Sequence, residues 1–256
     1  MNVALAAGAT LVSTAFALST LDRWLRRRRP HEFAWTISLG LFALGSAALW
    51  WAEAHGWSLN SFRVFYLAGA ILNVPWLALG TVYLIGGPAT GRIVQRVLVP
   101  LSWLSVGIVL FAPTEQPVDG PGLPTGKDVF GIAPRLLAAV GSGVSALVII
   151  VGALYSAWQL LRRRDAIVAR SNGAPGRLAL GNVLIAAGTL VLSASGTLAG
   201  RLGKDRAFAV TLLAGIAVLF AGFLVSPSSR RARVRHADFG VMPSRGTPAP
   251  GAAAFR

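Results

Sequence analysis

Nine carboxylates and three histidines are the whole general acid–base repertoire of this 256-residue chain. Their densest grouping is Glu53 and His55, then Arg63, with Asp119 and Asp128 following in a Pro/Gly-rich stretch. One histidine among carboxylates is a set that shuttles protons or ligates a divalent metal. The spacing, however, matches no ligand motif, and residues two apart on a helix do not share a face. These five residues therefore read as an outer polar cluster, and no metal is assigned to them. The absence of cysteine excludes thiolate catalysis, disulfides and Fe–S ligation. No Ser-His-Asp arrangement, paired aspartates of an intramembrane protease or His-Glu-x-x-His helix is present. Neither enzymatic activity nor a cofactor is expected.

A second group lies inside an apolar run, Asn73-Val74-Pro75-Trp76. Proline has no N–H and clashes with the carbonyl four residues back, so a helix here loses the partner of Ile71 and bends. Asn73 brings an amide to the same depth, where an unpaired polar group is costly. A bend, an amide and an indole form either a small-ligand pocket or a structural kink whose amide bonds to a neighbouring helix. Asn73, Pro75 and Trp76, with Trp103 from the next apolar run, are the candidate ligand-binding residues.

The elements that must carry these residues follow from composition. Hydrophobic residues make up 54% of the chain and charged residues 13%, about half the share in soluble domains. Crossing about 30 Å of hydrocarbon takes roughly 20 apolar residues in a helix. Seven windows qualify: Val3–Leu21, Phe33–Ala52, Phe62–Ile85, Gly91–Phe111, Leu136–Leu161, Leu178–Ala199 and Ala207–Val225. The fold class is all-α, a polytopic transmembrane bundle of seven helices. Residues 1–226 form the transmembrane domain, and residues 227–256 form a basic, disordered tail. No lysine lies in the seventh window to form a retinal Schiff base. No acid, Arg or Lys is expected at membrane depth, which removes the usual signature of ion-coupled transport.

Charge sets the orientation. With the N-terminus outside, the inner segments hold eighteen of the 24 basic residues, including Arg26–Arg29, Arg162–Arg164 and the Arg230–Arg235 cluster. The outer segments hold six: Arg63, Lys127, Arg135, Arg201, Lys204 and Arg206. This is the positive-inside bias. The net charge of +15 therefore reflects topology, and nucleic acid is not an expected partner. The expected partners are the bilayer, anionic lipid at the Arg-rich inner loops and tail, and a membrane protein. Each basic residue near an anionic surface contributes about 1 kcal/mol. The location expected is the cell membrane of a bacterium, multi-pass. The long outer loop Ala112–Pro134 reads as an ordered cap or a mobile lid.

Windows one to three and five to seven share features. Trp24 and Trp158 each precede an arginine cluster; Arg63-Val-Phe65 and Arg206-Ala-Phe208 each open a third span. Gly45 precedes Arg63 by 18 residues, as Gly188 precedes Arg206. A 3+1+3 parallel repeat would place such features in register. Phe33–Leu84, with its Trp50-Trp51-Ala-Glu53 helix followed by a central Pro75-Trp76, resembles the N-terminal seven-helix region of bacterial sensor histidine kinases. The resemblance covers about a fifth of the chain. The whole chain resembles uncharacterised seven-helix membrane proteins of actinobacteria. No output domain is recognised after the last window, and no functional residue is carried over from either family. The expected function is a non-enzymatic sensor, receptor-like or scaffold module binding a small apolar ligand, lipid or membrane partner. The alternative is a transporter of a small neutral solute.

Overall fold

The computed structural model describes residues 2–118, 122–162, 184, 187, 188, 191, 192 and 204–225. Its long elements are helices α1 (Asn2–Arg27), α2 (Pro30–His55), α3 (Leu59–Ile85), α4 (Gly87–Phe111), α6 (Ile132–Arg162) and α7 (Lys204–Val225). A one-turn helix, α5 (Gly126–Val129), lies between α4 and α6. Among the described residues there is no strand, only an isolated bridge from Thr114 to Phe130. Five helices, α1 to α4 and α6, are long and apolar enough to cross a membrane, and α7 carries a shorter apolar stretch, Val210–Gly222. The expected window Leu178–Ala199 falls outside the described residues, apart from helical positions 184, 187, 188, 191 and 192.

The helices overrun the apolar windows because a helix ends where its backbone finds other partners, not where hydropathy falls. Beyond Leu21, α1 continues to Arg27, with Arg26 donating to Asp22 one turn back at 2.9 Å. Pro30 opens α2 at a position where its missing N–H costs nothing. Only Arg28 and Arg29 separate the two helices, and Arg28 takes a left-handed φ of 52° with its guanidinium over the Trp24 ring. At the opposite end, Gly56 leaves α2 with φ 91°, which glycine adopts without steric cost. Ser58 then caps α3: its hydroxyl accepts from the Ser61 N–H, and the Ser61 hydroxyl accepts from the Ser58 N–H. Gly87, at φ 80°, starts α4 ahead of Pro88, so this helix begins four residues before the expected Gly91.

α3 is the central rod. Its apolar window is 44% buried, against 11% for α4 and 17% for α6. It packs on α2, α4 and α6, while α1 packs on α2 and α7. The α2 stripe Ser38, Phe42, Gly45, Leu49 and Ala52 is buried and repeats at helical spacing. At Gly45 the backbones nearly touch, since a Cβ there would lie 3.2 Å from the Gly69 nitrogen. Lower down, the Trp35 ring lies across Gly80, where a Cβ would sit 2.1 Å from its Nε1.

The loop after α4 has a packed structure in its described part. Glu115 N–H donates to the Val129 carbonyl at 3.0 Å beside the Thr114–Phe130 bridge. Phe130 is 0% exposed, with ring centroids 5.4 Å from Phe62 and 5.2 Å from Tyr66. The described part of this segment forms a cap seated on the start of α3.

Replacing Gly80 by Ala forces a methyl into the Trp35 ring and is expected to lower stability by about 1–3 kcal/mol. Gly40→Ala is the matched control. Its Cβ would meet nothing within 4 Å, and helix propensity alone should make it neutral or stabilising by about 0.5–1 kcal/mol. Thermal unfolding of the two purified variants in detergent separates these outcomes.

Candidate functional site

Pro75 organises the middle of α3. Without an N–H it can donate neither to the Ile71 carbonyl, in α register, nor to the Ala70 carbonyl, in π register. The chain answers with a π-helical segment, Tyr66–Leu72, immediately upstream, after which the Asn73 N–H donates to Ala68. π turns are rare and recur at functional positions. Where the sequence predicts a bend, the structure shows a change of helical register spread over two turns.

Each polar group near this segment bonds to a different neighbour. From α2, the Ser38 hydroxyl lies 2.7 Å from Asn73 Oδ1 and 3.0 Å from the Asn73 carbonyl. From α6, the Ser142 hydroxyl donates to the Ala70 carbonyl, and the Ile71 carbonyl faces Gly141. Toward α4, Trp76 Nε1 donates to Ser102 Oγ at 3.2 Å, and Ser102 donates onward to the Leu98 carbonyl at 2.7 Å. In a low-dielectric interior such bonds stand in for the water the backbone lacks. Asn73, Pro75 and Trp76 therefore come together.

Trp103 does not join them. It is 72% exposed, because the inward stripe of α4 is Leu98, Ser102, Ser105 and Val109, spaced four, three and four apart. Residue 103 falls a fifth or more of a turn off that stripe. Trp103, a candidate beside Asn73, Pro75 and Trp76 on sequence grounds, thus lies apart from them on the exposed side of α4. The partner that reading the sequence missed is Ser102, one residue earlier, whose signal is the same stripe.

Within the polar cluster, His55, Arg63 and Asp128 take separate partners. His55 is exposed, its ring stacked on Trp51 at 4.1 Å and its Nδ1–H donating to the Trp51 carbonyl at 3.1 Å. Arg63 donates to the Ala112 carbonyl at 2.9 Å, tying the start of α3 to the end of α4. Asp128 accepts from the Thr125 hydroxyl inside the cap. Glu53 is half-buried near the end of α2, and Asp119 lies outside the described residues. Among the described residues, no three His, Asp or Glu side chains are placed to hold a metal ion.

One feature at the arginine-bearing end escapes the sequence reading. Glu32 is 1% exposed and lies 3.4 Å from Arg23, itself 16% exposed, across the α1–α2 hairpin. The second carboxylate oxygen of Glu32 is buried without a hydrogen-bond partner. Its burial is not singled out by the sequence, which places Glu32 just outside the apolar window Phe33–Ala52. Glu32 is drawn in because α2 begins at Pro30 and not at Phe33, which makes it the third residue of a helix. Pro at the first position and Glu at the third are the start signal that was available. Nearby, Trp24 packs on Phe33 at 5.0 Å, and the Tyr83 hydroxyl donates to the Gln95 side-chain carbonyl.

Set against known proteins, the chain matches no family model, no curated protein and no solved structure.

Removing the Glu32 carboxylate breaks its ion pair with the largely buried Arg23, so Glu32→Ala is expected to cost about 3–5 kcal/mol. Ser38→Ala, which removes one hydrogen bond to Asn73, is expected to cost about 1 kcal/mol. Unfolding of the two variants in detergent should rank them in that order; equal losses would remove Glu32 as a structural latch.

Proposed function

We propose that the chain is a seven-helix integral membrane protein of the bacterial cell membrane, with its N-terminus outside and its tail in the cytoplasm. It acts as a non-enzymatic receptor-like or scaffold module that binds a small apolar ligand, lipid or membrane partner at the Asn73–Trp76 turn of α3. The observation that carries this reading is the hydrogen bonding of that turn and the π segment before it. Ser38, Ser102 and Ser142 reach it from three different helices, so a contact made there is felt in α2, α4 and α6 together. Such a node suits the relay of a binding event into helix movement. The apolar exteriors of α4 and α6, with Phe111 at 87% exposure and Ile132, Leu136, Val140 and Val144 also exposed, support a lipid-facing setting.

A second reading, transport of a small neutral solute, draws support from the contact between α1 and α7. Phe16 and Phe220 lie 4.8 Å apart, which brings the first helix against the last, as two facing triplets would require. Arg-rich inner connections and the tail would attract anionic lipid or a membrane partner in either case.

Native mass spectrometry of the purified full-length chain is expected to show a copurified apolar adduct that Trp76→Ala loses. Proteoliposomes should show no solute uptake above empty vesicles. Uptake that Asn73→Leu abolishes would replace the receptor reading with transport. A fluorescent reporter fused after Arg256 is expected to light up in the cytoplasm, and a periplasmic signal would overturn the orientation.

A further inference from the structure

The cap and the π segment meet at one residue. Tyr66 is the first residue of the π segment, and it is also where the cap is seated. The Phe130 ring packs on it, and Gly126 fits against it so closely that a Cβ would lie 2.5 Å from Tyr66 Cε2. The far end of the segment is held by other elements. Ser38 holds Asn73, Ser142 holds the Ala70 carbonyl, and Gly141 sits against Ile71 and Pro75.

A π segment is equivalent to one surplus residue wound into an α-helix. The surplus survives only while both ends are held, because α-helical hydrogen bonds are otherwise the preferred pairing along the run. Pro75 fixes where the surplus stops, since no residue before it in the ladder can use its missing N–H. It does nothing to fix where the surplus starts. That end begins at Tyr66, on which the cap packs.

We propose that Tyr66–Leu72 is a two-state joint, held in π register by the cap's grip on Tyr66, through which cap displacement rotates the cap-end half of α3 against its other half. Moving one residue between registers turns that half by about 100° and shifts it by about 1.5 Å. Arg63, on the turning half, is bonded to the Ala112 carbonyl at the end of α4, so the rotation would be passed to α4. The half after Pro75 stays fixed by Ser38, Ser102 and the Trp35 ring over Gly80. The joint rests on the geometry of α3 and its contacts with the cap and α6, and holds or fails independently of the ligand reading.

The chain has no cysteine, so introduced cysteines can be spin-labelled selectively in the full-length protein. One pair, Asn60→Cys with Leu136→Cys, reports the cap-end half of α3 against α6. A second pair, Leu84→Cys with Leu154→Cys, reports the other half. Pulsed electron resonance distances are measured in three backgrounds: unaltered, with Gly126→Ala, which drives a methyl into Tyr66, and with Gly69 deleted, which removes the surplus residue. Gly126→Ala is expected to move the first distance by about 5 Å toward that of the Gly69 deletion, the scale of a swing at the helix surface, with the second distance unchanged. Phe130→Leu loosens the same grip without a clash and should move the first distance the same way if Gly126→Ala does not fold. A first distance left at its original value while proteolysis shows the cap released overturns the proposal. So does an equal movement of both pairs.

Discussion

Everything in the centre of this protein follows from one missing hydrogen. Pro75 cannot donate, and in an apolar bundle no water replaces the bond. The deficit has three physical outlets: a kink, a change of helical register, or donors brought from elsewhere. The structure uses the last two together. Register changes over Tyr66–Leu72, and hydroxyls arrive from α2 and α6. Serine suits this role because it supplies a donor in small volume and can otherwise bond back to its own helix, as Ser13, Ser102 and Ser105 do.

Close approach is the other half of the arrangement. A hydroxyl on a short side chain reaches a neighbouring backbone only if the helices nearly touch. Gly45 against Gly69 brings α2 in, and Gly141 beside the Ile71 carbonyl brings α6 in. Small residues therefore set the distance at which polar ones can work. The same logic operates at the arginine-bearing end, where Gly80 receives Trp35 and Gly91 receives Tyr83. Aromatic rings there fill the space that glycines leave, and the hairpin below them buries the Arg23–Glu32 pair. Burying such a pair gains little net energy but makes its breakage costly, so it locks α1 to α2 in one register.

Much of the site was legible in advance in kind and less so in detail. The Asn73-Pro75-Trp76 constellation was picked out because proline and an amide inside an apolar run each demand a partner. Which partner could not be read, because Ser38 lies 35 residues away on another helix and many serines were equally eligible. The exposure of Trp103 is illegible in sequence for a related reason. An aromatic ring is compatible with either a packed or a lipid-facing position, and only the Leu98–Ser102–Ser105–Val109 stripe, oriented by contact with α3, separates the two. Glu32 was missed because hydropathy marks where a helix is greasy and not where it begins.

What the residues alone determined is the apolar-helix architecture: runs of about 20 apolar residues, long enough to cross a membrane, broken by Gly, Pro and arginine clusters at the turns. Those are local properties, set by backbone chemistry and solvation, and they need no neighbour to be true. The tertiary structure decided which helix is central, that the bend is a π segment, that Phe130 seats the cap on Tyr66, and that Glu32 is buried. Each depends on side chains distant in sequence meeting in space. Bundle packing selects among many sterically similar helix faces by small differences in residue size, and a single strand of residues does not display that selection.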